Sequence, residues 1–256
     1  MKIAILGTGA IGGLIGARLA LAFPAHHTHQ ISAYARGANL SALREHGWRL
    51  QSGEQVLQTP VYAASDKASE LGPQDVLIIA VKAPALAELA AQIAPMLQPE
   101  TLIVPAMNGV PWWLLQGIPE INPHLSSIDP DHRIAQHLPL NQVAGCVVHA
   151  SSTVTSPGVI RHVMGQGLLF GLAQSGNPPV AMQHTLQELT QALVEAGFEA
   201  SQSNDIRRDI WYKLWGNLTM NPVSALTGAT IDKILDDPLL REFCSAAMRE
   251  AAQIGR

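Results

Sequence analysis

Long apolar runs, bounded by glycine and proline, alternate with helical stretches over most of the chain. Residues 2–6, 31–35, 75–83 and 101–110 have the nearly unbroken hydrophobic character of strands buried on both faces of a parallel sheet. Helices are predicted between them, because apolar residues recur there at helical spacing, as in the segment that begins at Pro84. Alternating strands and helices of this kind indicate an α/β fold.

The middle of the chain carries shorter strand signals. The segments GVIRHV and GLLFGL, residues 158–163 and 167–172, alternate and turn on glycines. This pattern predicts an antiparallel hairpin and therefore a mixed sheet. Residues 117–142 are rich in Pro, His, Asp and Ser and predict an irregular excursion, whereas residues 180–196 predict an amphipathic helix.

The pattern changes at about Ser203, because the strand-like runs stop there and the remaining residues follow a helical pattern. We therefore predict two domains, one over residues 1–203 and a helical one over residues 204–256.

The first predicted helix of the second domain contains the segment IWYKLWGNLTMNP, which combines apolar and amide side chains. Lys213, Asn217 and Asn221 fall at i, i+4 and i+8 and so form one polar stripe on a helix otherwise suited to burial. Pro222 is expected to kink or end this helix just past Asn221.

Composition narrows the classes of function. The 256 residues are 47% hydrophobic and carry a net charge of −4 with 16 basic residues. A packed core is expected, and a broad basic surface for nucleic acid is excluded. The apolar N-terminal stretch is interrupted by Arg18, which argues against a signal peptide or a membrane span. We predict a soluble cytoplasmic protein with a small-molecule partner.

No metal site is predicted. Cys146 and Cys244 lie far apart with no CxxC pair, so neither a zinc site nor a disulfide framework is indicated. His26, His27 and His29 stand close together in a connection, but no carboxylate or cysteine accompanies them.

The segment KIAILGTGAIGG is a predicted buried strand followed by a Gly-x-Gly-x-x-Gly turn and a helix. Gly7 permits the tight turn, Gly9 lets the backbone approach a pyrophosphate, and Gly12 lets the helix pack close to the strand. The helix N-terminus adds free N–H groups and a positive dipole. The motif favours a dinucleotide site over a plain tight turn, with these contacts: Gly7, Thr8, Gly9, Ala10, Ile11 and Gly12.

Two further strand ends carry candidate ligand contacts. Arg36 follows the second strand, where an arginine accommodates the 2′-phosphate of NADP and an acidic residue would indicate NAD. The alternative is that Arg36 is a solvated strand end. Asn108 follows a later strand, at the sheet edge where α/β proteins bind ligands, although an Asn-Gly turn is an equal alternative.

The polar stripe has a chemical interpretation. A lysine ammonium can polarise a carbonyl oxygen and protonate the alkoxide that forms when hydride arrives, and asparagines can orient a keto acid. Lys213, Asn217 and Asn221 would then face a cleft between the two domains. The alternative is a solvent-facing helix edge.

At these residues the chain resembles the ketopantoate reductase (2-dehydropantoate 2-reductase) family. The resemblance spans essentially the whole chain and rests on GTGAIGG, YAR, AVKA, MNGV, SPGVIRHV and, above all, IWYKLWGNLTMNPVSALTG. It implies an α/β fold, with a Rossmann-like N-terminal domain containing a mixed sheet, followed by an all-helical C-terminal domain. It also implies Lys213 as general acid, substrate binding by Asn217 and Asn221, Asn108 beside cofactor and substrate, and Arg36 with Lys82 at the 2′-phosphate.

The resemblance implies an NADP-dependent oxidoreductase acting on CH–OH groups. The reaction would be reduction of 2-dehydropantoate by NADPH to (R)-pantoate, on the way to pantothenate and coenzyme A. A paralogue that reduces another 2-keto acid and a non-catalytic NADP-binding module remain alternatives. Neither nucleic acid nor a membrane is an expected partner, and assembly into a homodimer is left open.

One departure from the family concerns the C-terminus. The family's helical domain normally continues past the point where this chain stops, with a serine that binds substrate and a glutamate that assists near the carbonyl. We therefore expect a truncated product, with impaired activity and partly uncovered apolar surface around Trp211, Trp215 and Leu218.

Overall fold

The computed structural model describes residues 1–24, 28–174, 176 and 178–255. Its strands, in chain order, are β1 (Lys2–Leu6), β2 (Gln30–Tyr34), β3 (Trp48–Ser52), β4 (Gln55–Thr59), β5 (Ala64–Ser65), β6 (Val76–Ile79), β7 (Leu102–Pro105), β8 (Ala144–Ser156), β9 (Val159–Leu172) and β10 (Glu199–Gln202). Its α-helices are α1 (Ala10–Ala22), α2 (Gly37–His46), α3 (Ala68–Leu71), α4 (Leu86–Gln92), α5 (Arg133–His137), α6 (Val180–Glu195), α7 (Ile206–Thr227), α8 (Ile231–Asp236) and α9 (Pro238–Ile254). Short 3₁₀ turns occupy Ala83–Ala85, Ala94–Met96 and Leu140–Gln142.

The first sheet is parallel and has the strand order β5-β2-β1-β6-β7. Its central strands are buried on both faces, because helices or the second sheet cover each face; Ile3, Ile5 and Leu77 are fully buried. This sheet and the helical C-terminal part confirm the Rossmann-like α/β fold expected from the sequence.

The second sheet is mixed and has the order β10-β9-β3-β4, with β8 paired to β9. The mixed pairing that the sequence predicted is therefore found in a second sheet, separate from the parallel one. The predicted hairpin between residues 158–163 and 167–172 is wrong, because both segments belong to the single long strand β9. Gly165, at φ +66°, lies near register shifts in the β8–β9 ladder, so the strand absorbs the irregularity without turning.

Helix α1 lies between the two sheets and contacts strands of both. Its small residues allow this close approach. A Cβ on Gly13 would lie 2.6 Å from Ile160 Cδ1 on β9, and a Cβ on Gly16 would lie 2.3 Å from Trp48 Cη2 on β3. Because the helix is surrounded by protein, apolar residues occupy nearly its whole circumference.

The C-terminal helices pack around α7. Of the two expectations for Pro222, the end of the helix is wrong, because α7 continues to Thr227 with the proline inside it, and the kink stays a prediction. Beyond the proline, Val223 packs with Ile234 of α8 and Cys244 of α9, and this burial stabilises the last turns. Gly228, in the left-handed conformation, closes the helix.

Among the described residues, no helix is long and apolar enough to cross a membrane.

Arg207, in the first turn of α7, ties this helix to the preceding part of the chain. Its guanidinium donates hydrogen bonds to four backbone carbonyls: those of Trp113 (3.2 Å), Leu114, Gln116 (2.7 Å) and Ala173 (2.8 Å). Its Cζ also lies 5.4 Å from the centroid of the Trp113 ring. Partial burial lowers the pKa of Arg207, while the charge of Asp205 acts in the opposite direction.

We expect Arg207→Ala to lower the free energy of unfolding by about 3 kcal/mol, because it leaves several carbonyls without their charged donor. Arg208→Ala is the matched control: Arg208 is the next residue, it is exposed, and its loss should change stability by less than about 0.5 kcal/mol. Urea unfolding followed by circular dichroism measures both. Equal midpoints for the two variants would contradict the role assigned to Arg207.

Candidate functional site

A cleft of about 650 Å³ opens at the carboxyl ends of β1, β2, β6 and β7. This is the edge at which parallel α/β sheets bind ligands. The predicted contacts that line the cleft are Gly7, Thr8, Gly9, Ala10, Ile11, Arg36, Lys82 and Asn108. The structure thus brings together the glycine turn and three polar residues predicted at strand ends, whereas Gly12 lies behind the turn.

The three glycines of the turn have different roles. Gly7 has φ +88°, and a Cβ there would lie 2.7 Å from Val81 Cγ1. A Cβ on Gly12 would lie 2.1 Å from Gly7 O, so this position serves close packing. The direction of a Cβ on Gly9, by contrast, is open, with no atom within 4 Å. The backbone at Gly9 can therefore be approached by a ligand.

The start of α1 offers hydrogen-bond donors to an anion. The side chain of Thr8 lies in the cleft wall, and its Oγ1 is buried without a hydrogen-bond partner among the described residues. An unpaired buried hydroxyl costs roughly 1–3 kcal/mol, which a ligand oxygen would offset. The first turn of α1 contains no acidic residue, so nothing there repels a phosphate. The site therefore fits a dinucleotide pyrophosphate.

Arg36 lies where β2 ends and α2 begins, at the edge of the cleft. Its Nη2 donates to Oε1 of Gln92 at 2.7 Å, and the Tyr34 hydroxyl donates to the same oxygen at 3.2 Å. The neighbouring Tyr34 hydroxyl is the main cause that raises the pKa of Arg36 above its ordinary value. Lys82, which follows β6, is an exposed second cation in the cleft wall.

Asn108 is exposed in the loop after β7 and lines the cleft and a smaller adjoining cavity. Ile210 of α7 and the thiol-bearing residue Cys146 line the smaller cavity as well. Burial raises the pKa of the Cys146 thiol, so this thiol stays protonated and unreactive. Asn108 is therefore the polar group that joins the cleft to the region beside α7.

Trp112 and Trp113 also border the smaller cavity. Both residues are at most 2% exposed and pack in the core with Ile206 and Ile210, so they join the loop after β7 to the start of α7.

Lys213 is half-buried on α7, beside β8. The pKa of His149 on β8 is lowered first by partial burial and then by the positive charge of Lys213, with Asp209 acting in the opposite direction. This places the Lys213 ammonium near His149. Val148 and Ala150 line the cleft, so His149 between them faces the opposite side of the strand.

The polar stripe does not line the cleft in this structure. Lys213, Asn217 and Asn221 are absent from the cleft wall, and Asn221 is exposed. Lys213 follows Ile210 by three residues, so both lie on the same side of α7, and Ile210 shares the small cavity with Asn108. The Lys213 end of the stripe therefore lies toward the small cavity that adjoins the cleft at Asn108.

Several lining residues were missed by the sequence analysis. Asn39 lines the cleft and accepts a hydrogen bond from Gly158 N at 3.1 Å through its Oδ1. Its place in the first turn of the helix after Arg36 is a local signal that could have revealed it. Val148 and Ala150 come from the second sheet, so no local pattern points to them.

The histidine-rich connection is only partly described: His26 and His27 lie outside the described residues. Over the described part of the chain, no group of three or more His, Cys, Asp or Glu side chains is arranged to hold a metal ion.

Two family models match the chain. The model described as "Ketopantoate reductase PanE/ApbA" matches residues 3–175, and "Ketopantoate reductase PanE/ApbA C terminal" matches residues 205–256. A 2-dehydropantoate 2-reductase from Mesorhizobium japonicum is 42% identical over 257 aligned positions, which cover 100% of this chain and 76% of the relative.

Solved structures agree. A candidate ketopantoate reductase from Ralstonia solanacearum superposes with a TM-score of 0.88 at 49% identity and covers 99% of this chain and 76% of that protein. A D-mandelate dehydrogenase solved with NADH and anilino(oxo)acetate gives a TM-score of 0.78 at 18% identity, with coverages of 100% and 73%, a likeness that concerns the fold alone. The chain spans about three quarters of the length of these proteins. The expectation of a truncated product is not borne out by these matches.

We expect Gly9→Ala to weaken dinucleotide binding by about tenfold or more, because the added methyl enters the space through which a pyrophosphate reaches the backbone. The fold should tolerate the change, since Gly9 has φ −76° and no neighbour within 4 Å of the added atom. Gly216→Ala on α7 is the control, with the same open surroundings but outside the cleft. Fluorescence titration with NADPH measures the affinity, and thermal unfolding measures the stability of the fold. Unchanged affinity in Gly9→Ala would refute the pyrophosphate site at the glycine turn.

Proposed function

The chain belongs to the ketopantoate reductase family, and we propose that it reduces 2-dehydropantoate to (R)-pantoate with NADPH, a step toward pantothenate and coenzyme A. The family and its structural neighbours imply a nicotinamide cofactor. The observation that carries the proposal is the cleft itself, which unites an open glycine turn, the unpaired Thr8 hydroxyl and the cation Arg36.

The cofactor would be held by residues of the cleft wall. The N–H groups at Gly9, Ala10 and Ile11 suit the pyrophosphate, and the Thr8 hydroxyl would complete its hydrogen bonds there. Arg36 and Lys82 suit the 2′-phosphate, since both are exposed cations of the cleft wall. When bound, the nicotinamide supplies the hydride for the keto carbon.

The substrate would be bound by amides from two elements. Asn108 reaches the cleft from the loop after β7, and we assign Asn217 and Asn221 of α7 to the keto acid, as the family resemblance implies. In this role α7 must come closer to the cleft than it does here, since none of the three stripe residues lines the cleft.

The proton is assigned to Lys213. Its Nζ would hold a proton against the keto oxygen and give it up as negative charge develops there, which leaves the hydroxyl of the product. The position suits a proton donor, because Lys213 is half-buried on the side of α7 that carries Ile210, which lines the small cavity at Asn108.

The alternatives are not favoured by the comparisons. A reductase for another 2-keto acid and a non-catalytic NADP-binding module would both fit an isolated glycine motif. The chain instead matches the family models of both domains and a named 2-dehydropantoate 2-reductase over its whole length.

Three further points belong to the same proposal. Residues 1–203 would bind the cofactor and residues 204–256 would supply the catalytic lysine, a division supported by the change from strands to helices at this point. The protein would act in the cytoplasm, which its two free buried cysteines suit. A homodimer remains an expectation, and analytical ultracentrifugation of the purified chain can test it.

The proposal is tested by the absorbance decrease of NADPH with 2-dehydropantoate, beside an NADPH binding titration on the same sample. Lys213→Ala should lower kcat by about 10² to 10⁴, the range for loss of a general acid, while the Kd for NADPH changes little. Lys233→Ala, on the exposed side of α8, is the control. Binding without turnover in the unmodified chain would contradict the proposed reaction, and full turnover in Lys213→Ala would contradict the assigned role.

Arg36→Asp should reverse the preference for NADPH over NADH. The carboxylate repels the 2′-phosphate but can accept hydrogen bonds from ribose hydroxyls. We expect the Kd for NADPH to rise by about 10- to 100-fold and that for NADH to stay constant or fall. Titration with each cofactor measures the ratio, and a ratio that does not move would refute NADP specificity at this strand end.

A further inference from the structure

Gln92, the last residue of α4, contacts the cofactor cleft indirectly through two side chains. Its Oε1 accepts hydrogen bonds from Arg36 Nη2 at 2.7 Å and from the Tyr34 hydroxyl at 3.2 Å. Tyr34 and Arg36 both line the cleft, whereas Gln92 itself does not. The amide oxygen therefore joins α4 to the end of β2 at the point where a 2′-phosphate would bind.

The three side chains restrict one another. The Tyr34 ring is 4% exposed and fixed by the core, so its hydroxyl gives Gln92 a fixed partner. The Arg36 Cζ lies 5.9 Å from the centroid of this ring, which places the guanidinium beside the ring as well as on the amide. An exposed arginine otherwise has many rotamers, so this contact lowers the entropy that ligand binding must remove.

The charge of the acceptor matters as much as its position. An amide oxygen accepts a hydrogen bond without neutralising the guanidinium, so Arg36 keeps its charge for an anion. A carboxylate at the same place would form an ion pair with Arg36 and compete with a phosphate. Glu88, one turn earlier on α4, does line the cleft, but Arg36 forms its hydrogen bond with Gln92.

We propose that Gln92 is a specificity-determining residue that positions Arg36, still charged, for the 2′-phosphate of the cofactor. This inference rests on the proposed function, since it requires Arg36 to bind that phosphate. Gln92 acts through Arg36 and takes no part in hydride or proton transfer.

The test is calorimetric titration with two fragments that differ only in the group concerned, adenosine 2′,5′-bisphosphate and adenosine 5′-phosphate. Gln92→Glu should raise the Kd for the bisphosphate by about tenfold or more and change the Kd for the monophosphate by less than about twofold. Gln92→Ala, which removes the acceptor but adds no charge, should raise the Kd for the bisphosphate by only a few fold.

Gln187→Glu on α6 is the matched control, because it makes the same change of charge on an exposed helix position outside the cleft. It should leave the ratio of the two Kd values at that of the unmodified chain.

The outcomes separate this inference from the proposed function. If Arg36→Asp removes the preference for the bisphosphate while Gln92→Glu and Gln92→Ala both keep it, the role of Gln92 is refuted and the cofactor assignment stands. If Arg36→Asp also leaves the preference unchanged, both fail together. If Gln92→Glu weakens both fragments equally, the effect is on the adenosine site and the inference is likewise overturned.

Discussion

The burial of α1 between two sheets is the constraint on which the rest of the structure depends. The close approach of α1 to both sheets requires residues without bulky side chains at the contacts, and Gly13 and Gly16 meet this requirement toward β9 and β3. Gly12 does the same toward the turn at Gly7. The packing that fixes the helix axis therefore also fixes its N-terminus. The candidate pyrophosphate site at the glycine turn is thus held in place by the two sheets and not by the loop alone.

The second constraint acts on α7 through backbone carbonyls. Carbonyl groups at the end of β9 and in the loop after Asn108 have no strand partner, and the guanidinium of Arg207 provides donors for four of them. The charged side chain of Arg207 on α7 thus provides hydrogen bonds for backbone carbonyls of the elements against which the helix packs. The position of Lys213, less than two turns further along α7, follows from this contact and from the packing of Ile206 against Gly145 and Gly171.

The sequence predicted the features that depend on neighbouring residues. The strand, turn and helix around Gly7, and Arg36 at the end of β2, follow from local pattern and were found in one cleft. The features that were mispredicted depend on distant contacts. Pro222 stays inside a helix because α8 and α9 pack beyond it, and β9 continues through Gly165 because β8 pairs with both halves. The same holds for Gln92, which meets Arg36 only when the tertiary fold brings the end of α4 to the end of β2.

Strand β8 lies between the cofactor cleft and α7, and its alternating residues face one or the other. Val148 and Ala150 line the cofactor cleft, whereas Gly145 and His149 lie on the side of α7. A Cβ on Gly145 would lie 2.7 Å from Ile206 Cγ1 and 2.8 Å from Trp113 Cζ2, so the helix cannot move inward at that end without disturbing the strand.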